Sequence, residues 1–192
     1  MGSRIAGPLA VVALMWIVFM IQPIAGRDAW SAWGISAGDF SAPWTYFTSV
    51  FVHASLAHIS GNSTFMLLLG VIIGLEGVKR WVGVFVGSAV TAGLFVSALT
   101  PSGVTVGASG VVFGYFGYIL TAALVERTLW VKVLRIVVAI ALLISYSATI
   151  IIGFLPASGV SWQAHVGGFV GGVIVAIIAE RGVEPRKRAQ SP

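Results

Sequence analysis

A serine and a histidine, each near the start of an apolar stretch, could together carry out nucleophilic chemistry. Ser109 lies within TVGASGVVFGYFG, residues 105–117, and His165 lies near the start of a later apolar stretch. A serine hydroxyl is a weak nucleophile until a neighbouring base accepts its proton, and neutral imidazole is a common base. The tetrapeptide ASGV occurs a second time, at 157–160, so Ser158 is a competing candidate.

An acyl-transfer site also needs groups that stabilise an oxyanion, and His58 and Asn62 are the candidates. Their spacing of four residues predicts that they share one face of a helix. Both side chains can donate hydrogen bonds, and free backbone N–H groups at a helix that starts near Ser109 would add to them. Since no acidic residue lies nearby in an apolar segment, we expect a Ser109–His165 dyad without an orienting carboxylate.

Each of these residues also has a purely structural interpretation. Ser109 could be a small residue that allows close helix packing, and His165 could be a hydrogen-bonded polar residue at a helix start. His58 and Asn62 could cap or anchor a helix. His53 is best interpreted as a structural residue that anchors a loop. What favours catalysis is the joint occurrence of nucleophile, base and donors. The histidines lack H-x-x-x-H and H-E-x-x-H spacing and the chain has no cysteine, so we expect neither a metal site nor a cofactor.

Composition places the chain in a membrane. Of its 192 residues, 58% are hydrophobic and 9% are charged, and the mean hydropathy is +1.00. Soluble domains carry roughly a quarter charged residues. The pI of about 10.1 would suit a nucleic-acid partner, but the basic residues are not gathered into a binding face, so we expect the lipid bilayer as partner and no nucleic acid.

Six apolar segments are long enough to cross a bilayer core about 30 Å thick. They lie at about 6–24, 57–75, 82–99, 108–125, 131–152 and 163–179. The first segment resembles a signal peptide, but PIAGRDA is a poor cleavage site and five further apolar segments follow. We therefore expect the first segment to remain in the protein as a span. The prediction is an all-α membrane protein, a bundle of six transmembrane helices that forms a single domain over residues 1–192.

The distribution of lysine and arginine predicts the orientation. Ten of the eleven basic residues lie on one side of the six spans, and Arg27 lies on the other. The positive-inside rule therefore places both termini in the cytoplasm, including the basic tail at 181–192. The long connection between spans 1 and 2 is then external, and its many aromatic residues predict that it is structured and lies partly in the outer leaflet.

Spans 2, 4 and 6 run from outside to inside, and each ends at a glutamate. The helical rise per residue gives the distance of each residue from the glutamate that ends its span. By this measure four candidate residues lie about 21 to 27 Å from those glutamates toward the external face, in one layer of the outer leaflet. They are His58, Asn62, Ser109 and His165. Helices that enter the membrane in the same direction can bring these side chains together, so we expect them to converge.

Glycines should let spans 4 and 6 approach closely. Gly110 with Gly114 in span 4, and Gly168 with Gly172 in span 6, both have the G-x-x-x-G spacing. This spacing favours close helix crossing in membranes. Close backbones are needed if the short side chains of the nucleophile and its base are to reach hydrogen-bonding distance.

Three separate motifs resemble those of the rhomboid family of intramembrane serine proteases, over most of the chain from Trp44 to Gly172. GASG at 107–110 is similar to the family's G-x-S-G motif, and AHVGGFVGG at 164–172 is similar to its A-H-x-x-G-x-x-x-G motif. HASLAHISGN at 53–62 resembles the stretch that supplies a histidine and an asparagine to the oxyanion region.

The resemblance implies roles for individual residues. Ser109 would be the nucleophile, His165 the general base, and His58 and Asn62 the oxyanion donors together with the Ser109 N–H. The supporting residues would be Gly107, Gly110, Phe113 and Gly168. Phe113 stands where many members have tyrosine, so it could still stack on the His165 ring.

The resemblance also implies what the protein would act on. A serine endopeptidase of a bacterial plasma membrane would cut single-pass or other transmembrane proteins near the external side. The substrate would enter beside spans 2 and 5, and a loop at 153–162 would act as a lid.

Thr45 is a departure from the family, since many members have arginine there, after Trp44. This departure concerns the external loop and leaves the dyad intact. Two alternatives remain, a catalytically inactive relative that binds membrane clients and a small glycine-rich transporter. The chain lacks no catalytic residue, and it has neither a mid-membrane ion pair nor a visible inverted repeat.

Overall fold

A computed structural model describes residues 2–26, 28–126 and 128–181. The elements in this part of the chain are α1 Gly2–Ala25, α2 Asp28–Trp33, β1 Ile35–Ser36, α3 Thr45–Thr48, a 3-10 turn Ser49–Phe51, α4 Leu56–Glu76, α5 Val78–Leu99, β2 Val104–Thr105, α6 Ser109–Val125, α7 Leu129–Phe154 and α8 Trp162–Arg181. A helix covers each of the six predicted apolar segments, with ends that differ by up to four residues. The tail beyond residue 181 lies outside the described residues.

Four helices in the described part of the chain are long and apolar enough to cross a membrane: Arg4–Ile24, Leu56–Glu76, Val78–Leu99 and Trp162–Ala179. A shorter apolar helix, α6, has 17 residues. The chain is therefore an integral, multi-pass helical membrane protein. The count of six spans stays a prediction.

The connection between α7 and α8 is shorter than predicted. Residues 153 and 154 still belong to α7, and Trp162 already belongs to α8, so the connection covers residues 155–161 rather than 153–162. The helix ends where it does because Leu155 precedes Pro156 and has an extended backbone, with φ −96° and ψ 144°. The proline ring disfavours a helical conformation at the residue before it.

The centre of the bundle is α6. Its residues from Gly110 to Ile119 are all buried, and α4, α5, α7 and α8 pack around it. A helix that is apolar on every side is stable only when neighbours cover every side. The sequence of α6 therefore accounts for its central position.

Glycines bring α6 and α8 into backbone contact. A Cβ atom added at Gly168 would overlap the carbonyl oxygen of Gly110, and one added at Gly172 would overlap the carbonyl oxygen of Gly114. Only residues without a side chain allow this separation of the two backbones. It is the close approach that the two G-x-x-x-G segments predict.

The connection between α1 and α4 carries short regular elements, one of which, the strand β1, departs from the all-α prediction. β1 pairs antiparallel with β2, with Ile35 opposite Thr105 and Ser36 opposite Val104. β-Branched residues favour extended backbone, and the pairing satisfies backbone groups of both segments. This ladder joins the connection to the chain just before α6.

Tyr46 docks the same connection on α5. Its ring is buried and occupies the space that a side chain at Gly93 would fill, and its hydroxyl lies 3.4 Å from Ser97 Oγ. Thr45, at the position where arginine was expected by resemblance, donates a hydrogen bond of 2.6 Å to the carbonyl of Ala42. Thr45 thus stabilises a local turn. The location of the connection in the outer leaflet stays a prediction.

A charged network ties four helices together at the opposite end of the bundle from Ser109. Glu76, at the end of α4, accepts a hydrogen bond of 2.5 Å from the Tyr118 hydroxyl and pairs with Arg80 at 3.1 Å and Arg135 at 3.3 Å. Arg135, on α7, also pairs with Glu126 at 3.1 Å. These partly buried pairs fix where α7 starts relative to α4 and α6.

We expect Gly172→Ala to destabilise the protein, because the new methyl group would collide with the Gly114 carbonyl. Overpacking of this kind typically costs about 1–3 kcal/mol, so the midpoint of thermal unfolding in detergent should fall. Gly83→Ala is the matched control, since its Cβ would meet only Val175 Cγ1, at 3.8 Å. Equal midpoints for the two variants would contradict the contact described above.

Candidate active site

Ser109 and His165 contact each other directly. Ser109 is the first residue of α6, and His165 is the fourth residue of α8. The Ser109 Oγ lies 2.8 Å from His165 Nε2, which is hydrogen-bonding distance. His165 is buried, with 7% of its surface exposed. The two residues that the sequence suggested as nucleophile and base are thus hydrogen-bonded across the glycine contact of α6 and α8.

The second nitrogen of the imidazole determines the tautomer. His165 Nδ1 lies 2.6 Å from the backbone carbonyl oxygen of Gly153. A carbonyl oxygen can only accept, so in the neutral ring Nδ1 carries the proton and donates it. Nε2 is then the unprotonated nitrogen, and it accepts the hydrogen bond from the Ser109 hydroxyl. This is the tautomer that a general base needs.

Aromatic rings hold the imidazole plane. The Phe113 ring stacks on His165 with a centroid distance of 4.2 Å and an interplanar angle of 7°. The Phe154 ring meets Phe113 edge to face, with centroids 5.0 Å apart. The stacking expected of Phe113 is therefore present without a tyrosine hydroxyl, and the histidine ring is confined on one face.

Gly107 brings the backbone before Ser109 close to α4. Its φ is +111°, a conformation that residues with a side chain rarely adopt. A Cβ there would lie 2.5 Å from His58 Cε1 and 3.3 Å from Asn62 Nδ2. The Gly107 N–H donates to the carbonyl of Ser49 at 2.8 Å. Glycine is required both by the backbone angle and by the approach of His58 and Asn62.

Asn62 offers an unused hydrogen-bond donor. It is 7% exposed, and no acceptor for its Nδ2 lies within the described part of the chain. A buried N–H group without a partner is energetically costly, so this amide is poised to donate to an oxygen that enters the site. His58, one turn earlier on α4, is half-buried, and its backbone N–H donates to the capping Ser55 Oγ at 3.1 Å.

Two cavities meet at the dyad. A lateral cleft of about 360 Å³ lies between α4, α6 and α7, and His58, Asn62, Ser109 and His165 all line it. An outer vestibule of about 730 Å³ is lined by Trp30, residues 100–106 and parts of the connection between α7 and α8. Ser109 and His165 line both cavities. A chain could therefore approach from one side and water from the other.

The structure separates the two copies of ASGV. Ser158 is exposed on the connection between α7 and α8, whereas Ser109 is the copy that contacts a histidine. Gly110 and Gly168 lie at the contact between α6 and α8 rather than in the cleft. In the described residues, no group of three His, Cys, Asp or Glu side chains is arranged to hold a metal ion.

The contribution of Gly153 was missed by sequence reasoning. Its carbonyl oxygen, not a side chain, touches His165, and every residue type has such an oxygen. The sequence carried no signal for it beyond the position of Gly153 three residues before Pro156, near a helix end.

His53 anchors the chain before α4. Gln22 on α1 donates to the His53 carbonyl at 2.9 Å and accepts from its backbone N–H at 3.2 Å. The His53 ring is fully buried, and its centroid lies 5.1 Å from that of His58. Burial lowers the pKa of His53 from its ordinary value of 6.5 to about 4, and the neighbouring His58 adds to that effect. These contacts support the structural interpretation of His53.

Comparison with known proteins identifies relatives. The family model described as Rhomboid domain matches residues 41–181. An uncharacterised protein of Mycobacterium tuberculosis is 29% identical over 194 residues, covering 94% of this chain and 78% of the relative. Rhomboid protease GluP of Bacillus subtilis is 24% identical, over 86% of this chain and 33% of its own length. RHOMBOID-like protein 1 of Arabidopsis thaliana is 27% identical, over 70% of this chain and 34% of its own.

The buried ring of His53 predicts that acid destabilises the fold. Because its folded-state pKa is depressed to about 4, unfolding takes up a proton at any pH between that value and the unfolded pKa of about 6.5. The contribution of His53 to the free energy of unfolding is therefore fully present above about pH 6.5. It declines as the pH falls toward 4, by at most about 3 kcal/mol.

Thermal unfolding in detergent, measured across this pH range for the wild type and for His53→Gln, isolates the contribution of the ring. The variant should show the shallower fall in unfolding midpoint on acidification, since glutamine does not titrate. Parallel curves for the two proteins would contradict the assignment.

Proposed function

The chain belongs to the rhomboid family, and from this membership and its Ser109–His165 pair we propose that it is an intramembrane serine endopeptidase that works through an acyl-enzyme. Rhomboid membership indicates intramembrane protease activity. The assignment of the dyad and of the substrate is the further step. The observation that supports the assignment of the dyad is the hydrogen bond of 2.8 Å between Ser109 Oγ and His165 Nε2.

In the first half of the reaction, Ser109 Oγ attacks the carbonyl carbon of the scissile peptide bond while His165 Nε2 accepts the hydroxyl proton. The tetrahedral intermediate collapses when the C–N bond breaks. His165 returns the proton to the leaving nitrogen, and the acyl group stays on Ser109 as an ester. The tautomer described above supports this assignment, because Nε2 has its lone pair toward the serine.

In the second half, water from the outer vestibule attacks the ester carbonyl, and His165 takes a proton from that water. The second tetrahedral intermediate collapses with cleavage of the bond to Ser109 Oγ, which recovers its proton from His165. The products are a new carboxyl group and the free enzyme. The position of both dyad residues on the vestibule wall supports this use of water.

Negative charge develops on the carbonyl oxygen in both halves, and Asn62, His58 and the Ser109 N–H are the proposed donors to it. The unpartnered amide of Asn62 supports its role. The N–H of Ser109 is at the start of α6, where backbone N–H groups have no partner within the helix. Donors fixed in place before the reaction are effective because they need no reorganisation.

The proposed substrates are single-pass or other transmembrane proteins, cut near the external face. A substrate would reach Ser109 through the lateral cleft between α4 and α7, whose walls include Phe65 and Phe116. The connection at 155–161 would act as the lid. We also propose a single domain with six spans, in a bacterial plasma membrane with both termini in the cytoplasm, on the basis of the lysine and arginine distribution.

Ser109→Ala should abolish both labelling by a fluorophosphonate and cleavage of a model transmembrane substrate in proteoliposomes, because no other residue would supply the nucleophile. Ser158→Ala is the matched control from the second ASGV, and it should cut at the wild-type rate. Undiminished cleavage by Ser109→Ala would contradict the proposal. Loss of activity in both variants, with folding intact, would also count against it.

Asn62→Ala should lower kcat by about 100- to 1000-fold with little change in KM, since the lost donor acts mainly in the transition state. Ser60→Ala, an exposed position on the same helix, serves as the control. Steady-state cleavage kinetics of both variants provide the comparison. A change confined to KM would show that Asn62 binds substrate and does not stabilise the oxyanion.

A further inference from the structure

We infer that the backbone carbonyl of Gly153 is the group that orients His165 for catalysis, so that the dyad is competent only while the end of α7 stays packed on α6 and α8. The inference rests on the proposed function and extends it. Gly153 acts here as a positioning residue, since it touches the base and not the substrate or the reacting atoms.

The contact occupies the place where a serine protease triad has a carboxylate. His165 Nδ1 and Gly153 O are 2.6 Å apart, a short N–H···O hydrogen bond. The described carboxylates of Glu76 and Glu126 lie at the far ends of α4 and α6. A neutral carbonyl fixes the ring orientation and the tautomer as a carboxylate would, without a second buried charge.

The carbonyl is available because of its position in the helix. Gly153 is the next-to-last residue of α7, and the last four carbonyl groups of a helix have no partner within it. If the helix continued, the Gly153 carbonyl would accept from the N–H of residue 157, but Pro156 sets an extended backbone at Leu155 and the helix ends first. The proline that ends α7 therefore leaves the carbonyl free for His165.

The absence of a side chain at residue 153 lets α7 come this close. A Cβ added at Gly153 would overlap the Phe113 ring and lie 3.1 Å from His165 Nδ1. Gly153 itself is buried, whereas the preceding Ile151 and Ile152 are more than half exposed. This turn of α7 thus contacts the bundle through Gly153 and Phe154 and presents its other side outward.

The same turn of α7 is a wall of the lateral cleft. Ile152 and Gly153 line it opposite the α4 residues. At its other end α7 is held by Arg135, which pairs with Glu76 and Glu126. A chain that passes between α4 and α7 therefore contacts the element that orients the base. Outward displacement of this turn would widen the cleft and break the hydrogen bond to His165 Nδ1. Cleavage of a bound substrate therefore requires the turn to move back until that hydrogen bond forms again.

The test weakens one carbonyl and removes one backbone N–H without changing a side chain, and its control makes the same two changes elsewhere in α7. Phenyllactic acid incorporated in place of Phe154 turns the linkage between residues 153 and 154 into an ester, and an ester carbonyl is a weaker acceptor than an amide carbonyl. The matched control carries the α-hydroxy analogue of isoleucine at Ile152, which makes the same change at the Ile151 carbonyl, away from His165. Thermal unfolding of both proteins checks that the fold is equally intact.

We expect the ester at 154 to lower kcat for a transmembrane substrate about three- to tenfold relative to the control, with KM little changed, because it weakens one hydrogen bond. Fluorophosphonate labelling of Ser109 should slow in parallel. NMR of isotope-labelled histidine should show the His165 proton on Nδ1 in the wild type and a mixture of tautomers in the ester at 154. Gly153→Ala, which pushes the turn away, should give the same tautomer change with a larger loss of kcat, whereas Gly83→Ala should give neither.

Equal kcat for the two esters, together with an unchanged tautomer, would overturn the inference even if cleavage depends on Ser109. Failure of the proposed function itself is a separate result, namely cleavage that survives Ser109→Ala. The two failures are therefore distinguishable in the same set of proteins.

Discussion

The backbone contact between α6 and α8 is the constraint on which the rest of the site depends. Ser109 has a short side chain, and His165 reaches it only because the carbonyl oxygens of Gly110 and Gly114 lie where side chains of Gly168 and Gly172 would otherwise stand. In lipid, helices gain little from burying apolar surface against one another, so close van der Waals packing of small residues is what holds two of them together. Here that packing also sets the distance between Ser109 and His165, the proposed nucleophile and base.

The approach to Ser109 is fixed by a second set of contacts. The pairing of β1 with β2 and the hydrogen bond from Gly107 to Ser49 tie the connection between α1 and α4 to the segment that leads into α6. The positive φ of Gly107 then turns this segment beside His58 and Asn62. Irregular backbone is tolerated at such a place only when its polar groups find partners, and the ladder provides several of them. The connection is thereby part of the site and not only a link between two helices.

Charge is distributed in a way that suits chemistry without a carboxylate. The ion pairs of Glu76, Glu126 and their arginines lie at the opposite end of the bundle, where they fix the start of α7. At the proposed dyad the His165 ring is oriented by a neutral carbonyl and a stacked phenyl ring. A buried carboxylate would carry a large desolvation cost, whereas a helix-end carbonyl already needs a partner. The arrangement gives that carbonyl a partner and positions the His165 ring with the same hydrogen bond.

The sequence by itself determined the membrane location, the helix positions within a few residues, the glycine contact and the set of candidate site residues, because apolar length, small-residue spacing and residue chemistry are local properties. It did not determine the β1–β2 ladder, the true extent of the connection at 155–161 or the contact made by Gly153. Strand pairing joins segments about 70 residues apart. Every residue type has a backbone carbonyl, so the residue type at position 153 does not reveal the contact that its carbonyl makes. The sequence favoured Ser109 over Ser158, and only the tertiary structure gave the contact of Ser109 with His165, since that contact depends on which helix packs against α8.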